Sequence, residues 1–217
     1  MIRPDFESSG ASFNEDAPIL TPEQIIEKRR AWLAGETVRS EIVAIGHVSL
    51  RGDERWLLDR LYDRNFGRID PNSDPGRAFG HMQAAVHDMA EYDMSRGSNA
   101  ELPAESLMHG GYFRRREDIA PWHTNRDPQA TVLYTVVHGA GPTRGLTGDM
   151  SRDDILLEPA TSMGYFKEET PIGPGQRLEP TDFTEGTVLR YTIDGHASGD
   201  TQGARLLTQA KIILPQA

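Results

Sequence analysis

Cysteine is absent from the chain, which excludes disulfides and thiolate-held metal sites and leaves the redox compartment unread. Long apolar runs are missing too. None approaches the roughly 20 residues that a membrane-spanning helix needs. The first residues, Met1-Ile2-Arg3-Pro4-Asp5-Phe6-Glu7, carry no apolar core of a secretory signal. Positive charge is in short supply. The 217 residues hold 23 Lys plus Arg against 33 Asp plus Glu, a formal balance of −10. That excess of acid disfavours non-specific binding to nucleic acid or to anionic membranes. Heptads, internal repeats and low-complexity tracts are lacking as well. These absences leave an expectation of a cytoplasmic protein that handles a small-molecule substrate, with neither nucleic acid nor membrane as partner. Association into a homodimer stays open.

Turn formers are plentiful. The 21 glycines and 14 prolines suit short strands better than a helical bundle. Residues 1–19 are polar and acidic and read as a flexible arm, with an arm lying over an active-site mouth as the second reading. Residues 20–217 read as one domain, a helical part over 20–107 and a β-core over 108–214. Thr21-Pro22-Glu23-Gln24 predicts a helix start: Thr21 can cap, Pro22 suits the first position, and Gln24 completes a capping box. Ile25, Ile26, Arg29, Trp32 and Leu33 then recur at helical spacing, and Gly35 ends the run. A strand is expected over 41–48, a helix over 53–62, an irregular loop over 65–80, and a helix over 81–94 with Met82, Ala85, Met89 and Tyr92 on one side. Beyond Met108, β-type runs at 111–116, 122–125, 131–138, 144–147, 162–166, 187–193 and 205–214 alternate with Gly, Pro and Asp breaks. That texture predicts a sandwich or barrel.

Two histidines stand out. His123 lies in Trp122-His123-Thr124-Asn125-Arg126-Asp127, just ahead of the apolar run from Thr131 to Val137. His196 closes Arg190-Tyr191-Thr192-Ile193-Asp194-Gly195-His196, which is 196 − 123 = 73 residues on, with room for strands between. On a strand, residues i and i+2 project to one side, so His123 and position 125 point together. A mononuclear iron site for oxygen chemistry needs two histidines and one carboxylate, leaving other positions open. Arg205, 205 − 196 = 9 residues past His196, begins the last apolar run and could grip an acidic co-substrate.

Asn125 stands where a carboxylate would suit, and three readings are open. Its amide oxygen is itself a ligand, although neutral and a poorer donor to a hard cation. Or Asp127 supplies the carboxylate, which requires a sharp bend, because a regular strand would carry it about 13 Å from His123 at ~3.3 Å per residue. Or the two histidines act alone with an exogenous anion. Arg114, Arg115 and Arg116 form a basic cluster. Arg114 and Arg116 share a face, either as edge charges that block aggregation or as recognition of an acidic group on a substrate. Trp122 either walls the site or fills the core. His47, His81, His87, His109 and His138 read as structural, surface or rim residues.

In order and spacing, His123, position 125, His196 and Arg205 resemble the iron(II)/2-oxoglutarate-dependent oxygenases. Their pattern is His-x-Asp/Glu, a distant His, then an Arg or Lys beyond it. The resemblance covers residues 108–214. Within it, 141–148 looks like the loop after the third core strand and 205–214 like the last core strand. It implies an α+β, mainly β fold: a double-stranded β-helix (jelly-roll, cupin-like) core with N-terminal helices packed on it. It also implies Fe(II) at His123, Asn125 and His196. The co-substrate would be 2-oxoglutarate, held by Arg205 with a hydroxyl from Thr143, Tyr134 or Tyr112, and O2 would be the oxidant. The substrate would be a small polar molecule such as an amino acid or a natural-product intermediate, oxidised at an unactivated C–H bond by hydroxylation, desaturation or cyclisation. Family halogenases carry Gly or Ala in place of the acid, so Asn125 departs from both patterns. A non-redox cupin-like barrel, and a metal-deficient or halogenase-like member of the family, are the alternatives.

Overall fold

A computed structural model of the chain describes residues 4–6, 10–50, 72, 74–97, 106–114, 121–125, 131–139, 143–157, 163–198 and 205–214. Of these, 74–76, 78–79, 106–114, 125, 198 and 205–207 are described in backbone only. The helical and β parts are built from two helices and thirteen strands among the described residues. In chain order they are β1 (Ala11–Phe13), α1 (Pro22–Leu33), β2 (Val38–Ser40), β3 (Val43–Val48), α2 (Asp74–Gly97), β4 (Ser106–Arg114), β5 (His123–Asn125), β6 (Thr131–Gly139) and β7 (Thr143–Met150). Then follow β8 (Ile155–Leu157), β9 (Met163–Phe166), β10 (Leu178–Phe183), β11 (Thr187–Tyr191), β12 (His196–Ser198) and β13 (Arg205–Ile213).

Helix α1 starts as its sequence directs. The Gln24 amide donates to Thr21 Oγ1 at 3.3 Å, and the Thr21 amide donates back to Gln24 Oε1 at 2.9 Å. Both otherwise orphaned donors of the first turn are thereby satisfied. The helix stops at Gly35, whose φ of +86° favours glycine. Its buried positions are Ile25, Arg29 and Trp32; Leu33 faces solvent. Helix α2 begins at Asp74, earlier than the predicted 81. Pro75, Gly76 and Gly80 suggested a loop there. Pro is tolerated in a first helical turn, where its missing N–H had no partner to lose, and the apolar stripe farther along carries the turns before it. Met82, Ala85, Val86, Met89, Ala90 and Met94 are buried at i, i+3, i+4, i+7 spacing.

The strands form two antiparallel sheets. One runs β1-β3-β11-β6-β13-β4, and the other runs β10-β7-β12-β5-β9-β8 with β2 added alongside β7. Consecutive core strands change sheet: β4 lies in the first, β5 in the second, β6 in the first and β7 in the second. After the β8–β9 pair, β10 lies in the second, β11 in the first, β12 in the second and β13 in the first. This is a jelly-roll-like sandwich. Helix α2 covers the outer face of the first sheet, packing Met89 and its neighbours on Val132, Tyr134, Val136, Val188, Ala210 and Ile212. Between the sheets lie Ile42, Leu133, Leu189 and Tyr191, with Phe183 against them. On the far side of the second sheet, Trp32 of α1 joins Val38, Leu146, Met150, Ile155, Leu178 and Ile193. Each fully buried side chain of this size contributes about 1.5–3 kcal/mol.

The N-terminal arm differs from the flexible one expected over 1–19. Ala11–Phe13 pairs with β3, and Phe6 and Phe13 are buried against the ring of Tyr92 on α2. The two aromatic rings of this mostly polar stretch, packed on a third from α2, outweigh its charge. Pro18 is tied down as well, its carbonyl accepting from Arg190 Nη2 at 2.6 Å. The strand expected over 41–48 is β3, Val43–Val48, and a further short strand, β2, precedes it at Val38–Ser40. The helix expected over 53–62 lies outside the described residues. None of the described helices is long and apolar enough to cross a membrane.

Candidate metal centre

The alternation of strands between sheets brings β5 and β12 side by side. His196 is the direct cross-strand partner of His123. Both project into the space between the sheets, the side on which His196 meets Tyr191 with ring centres 4.6 Å apart. The two imidazoles lie 4.1 Å apart, centre to centre, inclined at 59°. Tyr165, opposite His123 on β9, stands 6.2 Å from its ring. His123 is buried and His196 half-buried.

Each ring is held from behind in the same way. His123 Nδ1 donates to the Pro121 carbonyl at 2.7 Å, and His196 Nδ1 donates to the Asp194 carbonyl at 3.1 Å. A carbonyl oxygen can only accept, so Nδ1 carries the proton in both. In the neutral ring Nε2 then holds the lone pair, the state in which imidazole ligates a metal. Two imidazoles bound to one ion at right angles, with nitrogens about 2.1 Å from it, have ring centres roughly 4.5 Å apart. The observed 4.1 Å is close to that value, so the pair fits a shared divalent cation. Among the described residues no cluster of three His, Cys, Asp or Glu side chains accompanies it.

The turn carrying His196 is anchored by Asp194, whose carboxylate is buried. Its Oδ1 accepts from Lys28 Nζ of α1 and from the Glu41 amide, both at 2.6 Å; its Oδ2 accepts from the Thr192 amide at 2.8 Å and from Thr192 Oγ1 at 3.0 Å. Ser40 bridges the turn to β7, taking the Gly195 amide at 3.1 Å and donating to the Leu146 carbonyl at 3.0 Å. A Cβ on Gly195 would stand 2.7 Å from Leu146 Cδ1 and 2.8 Å from the Phe166 ring, so a side chain there would have to displace both. Beside the histidines, buried Tyr191 and Thr135 and half-buried Gln209 form a polar trio. The Thr135 and Tyr191 hydroxyls are 2.9 Å apart, and Gln209 Nε2 donates to them at 3.2 and 3.3 Å. Burial raises the Tyr191 pKa above its ordinary value, outweighing the hydrogen bonds from Thr135 and Gln209, so the hydroxyl stays protonated.

The other residues singled out in the sequence fall in several places. Asn125 ends β5 opposite Met163, two residues from His123 and on the same strand parity. Arg205 begins β13 opposite Gly139 and Arg114. It has the parity of Gln209. Thr143 begins β7 opposite Ser198 and Phe183. Tyr112 and Arg114 lie on β4 beside β13, while Arg116 and Asp127 lie outside the described residues.

Tyr134 is not brought to the histidines. It sits on the helix-covered face of β6, where its hydroxyl donates to Asp93 Oδ2 at 2.9 Å. Burial raises its pKa well above the ordinary value, and the charge of Asp93 adds to the effect. The residue of β6 that does face the site is its neighbour Thr135. Trp122 likewise packs with Leu146 and Ile155 on the far side of the second sheet, as alternation next to an inward His123 requires. Asp194, Lys28, Thr135, Tyr191 and Gln209 were not anticipated. Asp194-Gly195 is a turn signal, but Lys28 gave none, because a helix lysine ordinarily faces water.

No protein-family model matches the chain, and no curated protein matches it. Among solved structures it is similar to a prolyl-4-hydroxylase from Pseudomonas putida, at 11% identity and a TM-score of 0.42, over 94% of this chain and 97% of that one. It is also similar to AviO1 from Streptomyces viridochromogenes Tue57, at 12% identity and a TM-score of 0.40, over 96% and 93% of the two chains. A third is EvdMO1, at 11% identity and a TM-score of 0.35, over 95% of this chain and 63% of that one.

Proposed function

We propose that the protein is an iron(II)/2-oxoglutarate-dependent oxygenase with a double-stranded β-helix core, oxidising an unactivated C–H bond of a small polar molecule such as an amino acid or a natural-product intermediate. The observation that carries this reading is the cross-strand pair His123–His196, each ring with Nδ1–H spent on a carbonyl. His123 and His196 are two donors for the metal, and the Asn125 amide oxygen is the candidate third. Iron(II) held there, with 2-oxoglutarate and O2, would supply the oxidising chemistry. Arg205 and Thr143 are the candidates for gripping the far carboxylate of 2-oxoglutarate, Arg205 as a bidentate partner. Tyr112, Arg114, Arg116 and Asp127 are candidates for contact with the substrate. Leu133, Leu189, Ile42 and the Tyr191 ring give the space between the sheets an apolar lining. Burial there strengthens every polar contact the site makes.

Asn125 favours a second reading, because a neutral amide binds a hard cation more weakly than a carboxylate. In that reading the same barrel is a metal-deficient or halogenase-like relative, or binds a small molecule without redox chemistry. Succinate release from 2-oxoglutarate with added iron(II) separates the oxygenase from the metal-deficient and redox-free barrels, and a halogenase-like relative is told apart by halide in the product. The oxygenase gives succinate that disappears in His123→Ala, together with a weak visible band when iron(II) and 2-oxoglutarate are added without oxygen. Iron binding with neither band nor succinate would favour the redox-free barrel. Asn125→Asp should raise iron affinity if position 125 is a ligand position.

A further inference from the structure

His196 sits on a very short strand. Strand β12 spans three residues, paired with β7 along its length and with β5 at His196 alone. Sheet pairing fixes the backbone of His196, and the turn before it supplies the acceptor that fixes the ring. That turn is organised by one carboxylate. Asp194 is 1% exposed and receives four hydrogen bonds: two within its own turn, from the Thr192 amide and hydroxyl, and two from outside, from Lys28 and the Glu41 amide. The carbonyl of the same residue takes the Nδ1 proton of His196. Lys28 reaches Asp194 from α1, across 166 residues of chain, and is itself largely covered, with 22% of its side chain exposed.

We infer that Asp194 is a positioning residue for His196, and that Lys28 completes it, so that helix α1 sets the tautomer and aim of the distal histidine. A surface turn would not need a buried acid matched by a lysine from another element. A buried carboxylate is retained only when its lone pairs are met, and here they fix one peptide plane, that of the Asp194 carbonyl. Partners that orient a ligating histidine are commonly worth 10- to 100-fold in metal affinity. The consequence for metal binding rests on the reading of the histidine pair as a metal site; the tautomer does not.

Asp194→Asn and Lys28→Met test this in the metal-free, full-length protein. Long-range 15N–1H NMR spectra report which ring nitrogen of each histidine is protonated. In the wild type, His196 should be the Nδ1–H form. In Asp194→Asn it should become a mixture of both forms while His123 is unchanged, and in Lys28→Met it should move in the same direction by less. Co(II) titration should show a 10- to 100-fold loss of affinity in Asp194→Asn. If Asp194→Asn keeps the wild-type circular dichroism and melting temperature but His196 stays wholly Nδ1–H, the inference is overturned. If Asp194→Asn does not fold, Lys28→Met decides: an unmoved His196 spectrum overturns the inference, and a shifted one supports it. A wild type that binds no Co(II) would sink the metal reading alone, because the NMR result still judges Asp194.

Discussion

His196 faces His123 across neighbouring strands, and the two rings are held 4.1 Å apart by backbone carbonyls of Pro121 and Asp194. Two lone pairs so placed should bind a divalent cation in the folded state only. Binding that is exclusive to the folded state raises its stability by about 2.7 kcal/mol at a hundredfold excess over the dissociation constant. Mn(II) should therefore raise the melting temperature of the wild type. The shift should vanish in His123→Ala and in His196→Ala. A wild-type shift that survives either substitution would place the cation elsewhere.

Arg190 and Asp93 form the buried ionic contact that locks α2 and the N-terminal segment onto the first sheet. Arg190 Nη1 lies 2.9 and 2.7 Å from the two Asp93 oxygens, Tyr134 donates to the same carboxylate, and Arg190 Nη2 reaches the Pro18 carbonyl. Both partners are at most 3% exposed. Asp93→Ala should cost about 3–5 kcal/mol, because it strands a buried guanidinium. Asp93→Leu combined with Arg190→Met and Tyr134→Phe should recover most of that loss, because the desolvation cost is removed with the charges and no buried hydroxyl is left without an acceptor. Urea unfolding midpoints measure both. A loss below about 1 kcal/mol in Asp93→Ala would mean that Arg190 finds another partner.

The histidine pair was legible through the resemblance of its order and spacing to a family pattern, since parity along β5 relates His123 only to position 125 and not to His196 on β12. Helix α1 was legible because Thr21, Pro22 and Gln24 carry a capping box. The N-terminal segment was not. Phe6 and Phe13 lie among charges, and their burial depends on meeting Tyr92, which is far along the chain. Tyr134 shows the limit of reading a run such as 131–139 in which both faces are buried. Alternation then gives no polar face, and the sequence cannot tell Tyr134 from Thr135 as the residue that looks into the site. Strands of three residues, β1, β2, β5, β8 and β12, are too short to show a period at all.

Gly148 should tolerate no side chain. Its φ is +143°, and a Cβ would come 2.0 Å from the Arg177 carbonyl oxygen on the strand side of β10. It is also paired with both Ser40 and Leu178, so β7 cannot shift to relieve the clash without breaking two ladders. Gly148→Ala should destabilise the protein by more than the roughly 1–3 kcal/mol of the backbone strain alone. A melting temperature within one degree or so of the wild type would show that the second sheet has slack there.

Asp154 gives the fold an acid-sensitive contact. Partial burial alone would raise its pKa, but hydrogen bonds from Arg177 and from the Ser151 amide and hydroxyl prevail and lower it below the ordinary carboxylate value. The Arg177 guanidinium also donates through Nη2 to Asp154 Oδ1, and the pairing raises the Arg177 pKa in turn. A carboxylate with a lowered folded pKa binds its proton more readily when the chain is unfolded. Its stabilisation is therefore fully present above the unfolded value of about 3.9 and is lost as pH falls through the lower folded value. Asp154→Asn should melt below the wild type at neutral pH, and the gap should stay constant down to about pH 5 and then narrow. Arg177 is more than a third exposed, so added salt should shrink the gap as well. Melting curves of the two proteins from neutral pH into the acid range decide it: a gap that widens on acidification would mean that Asp154 carries its proton in the folded protein.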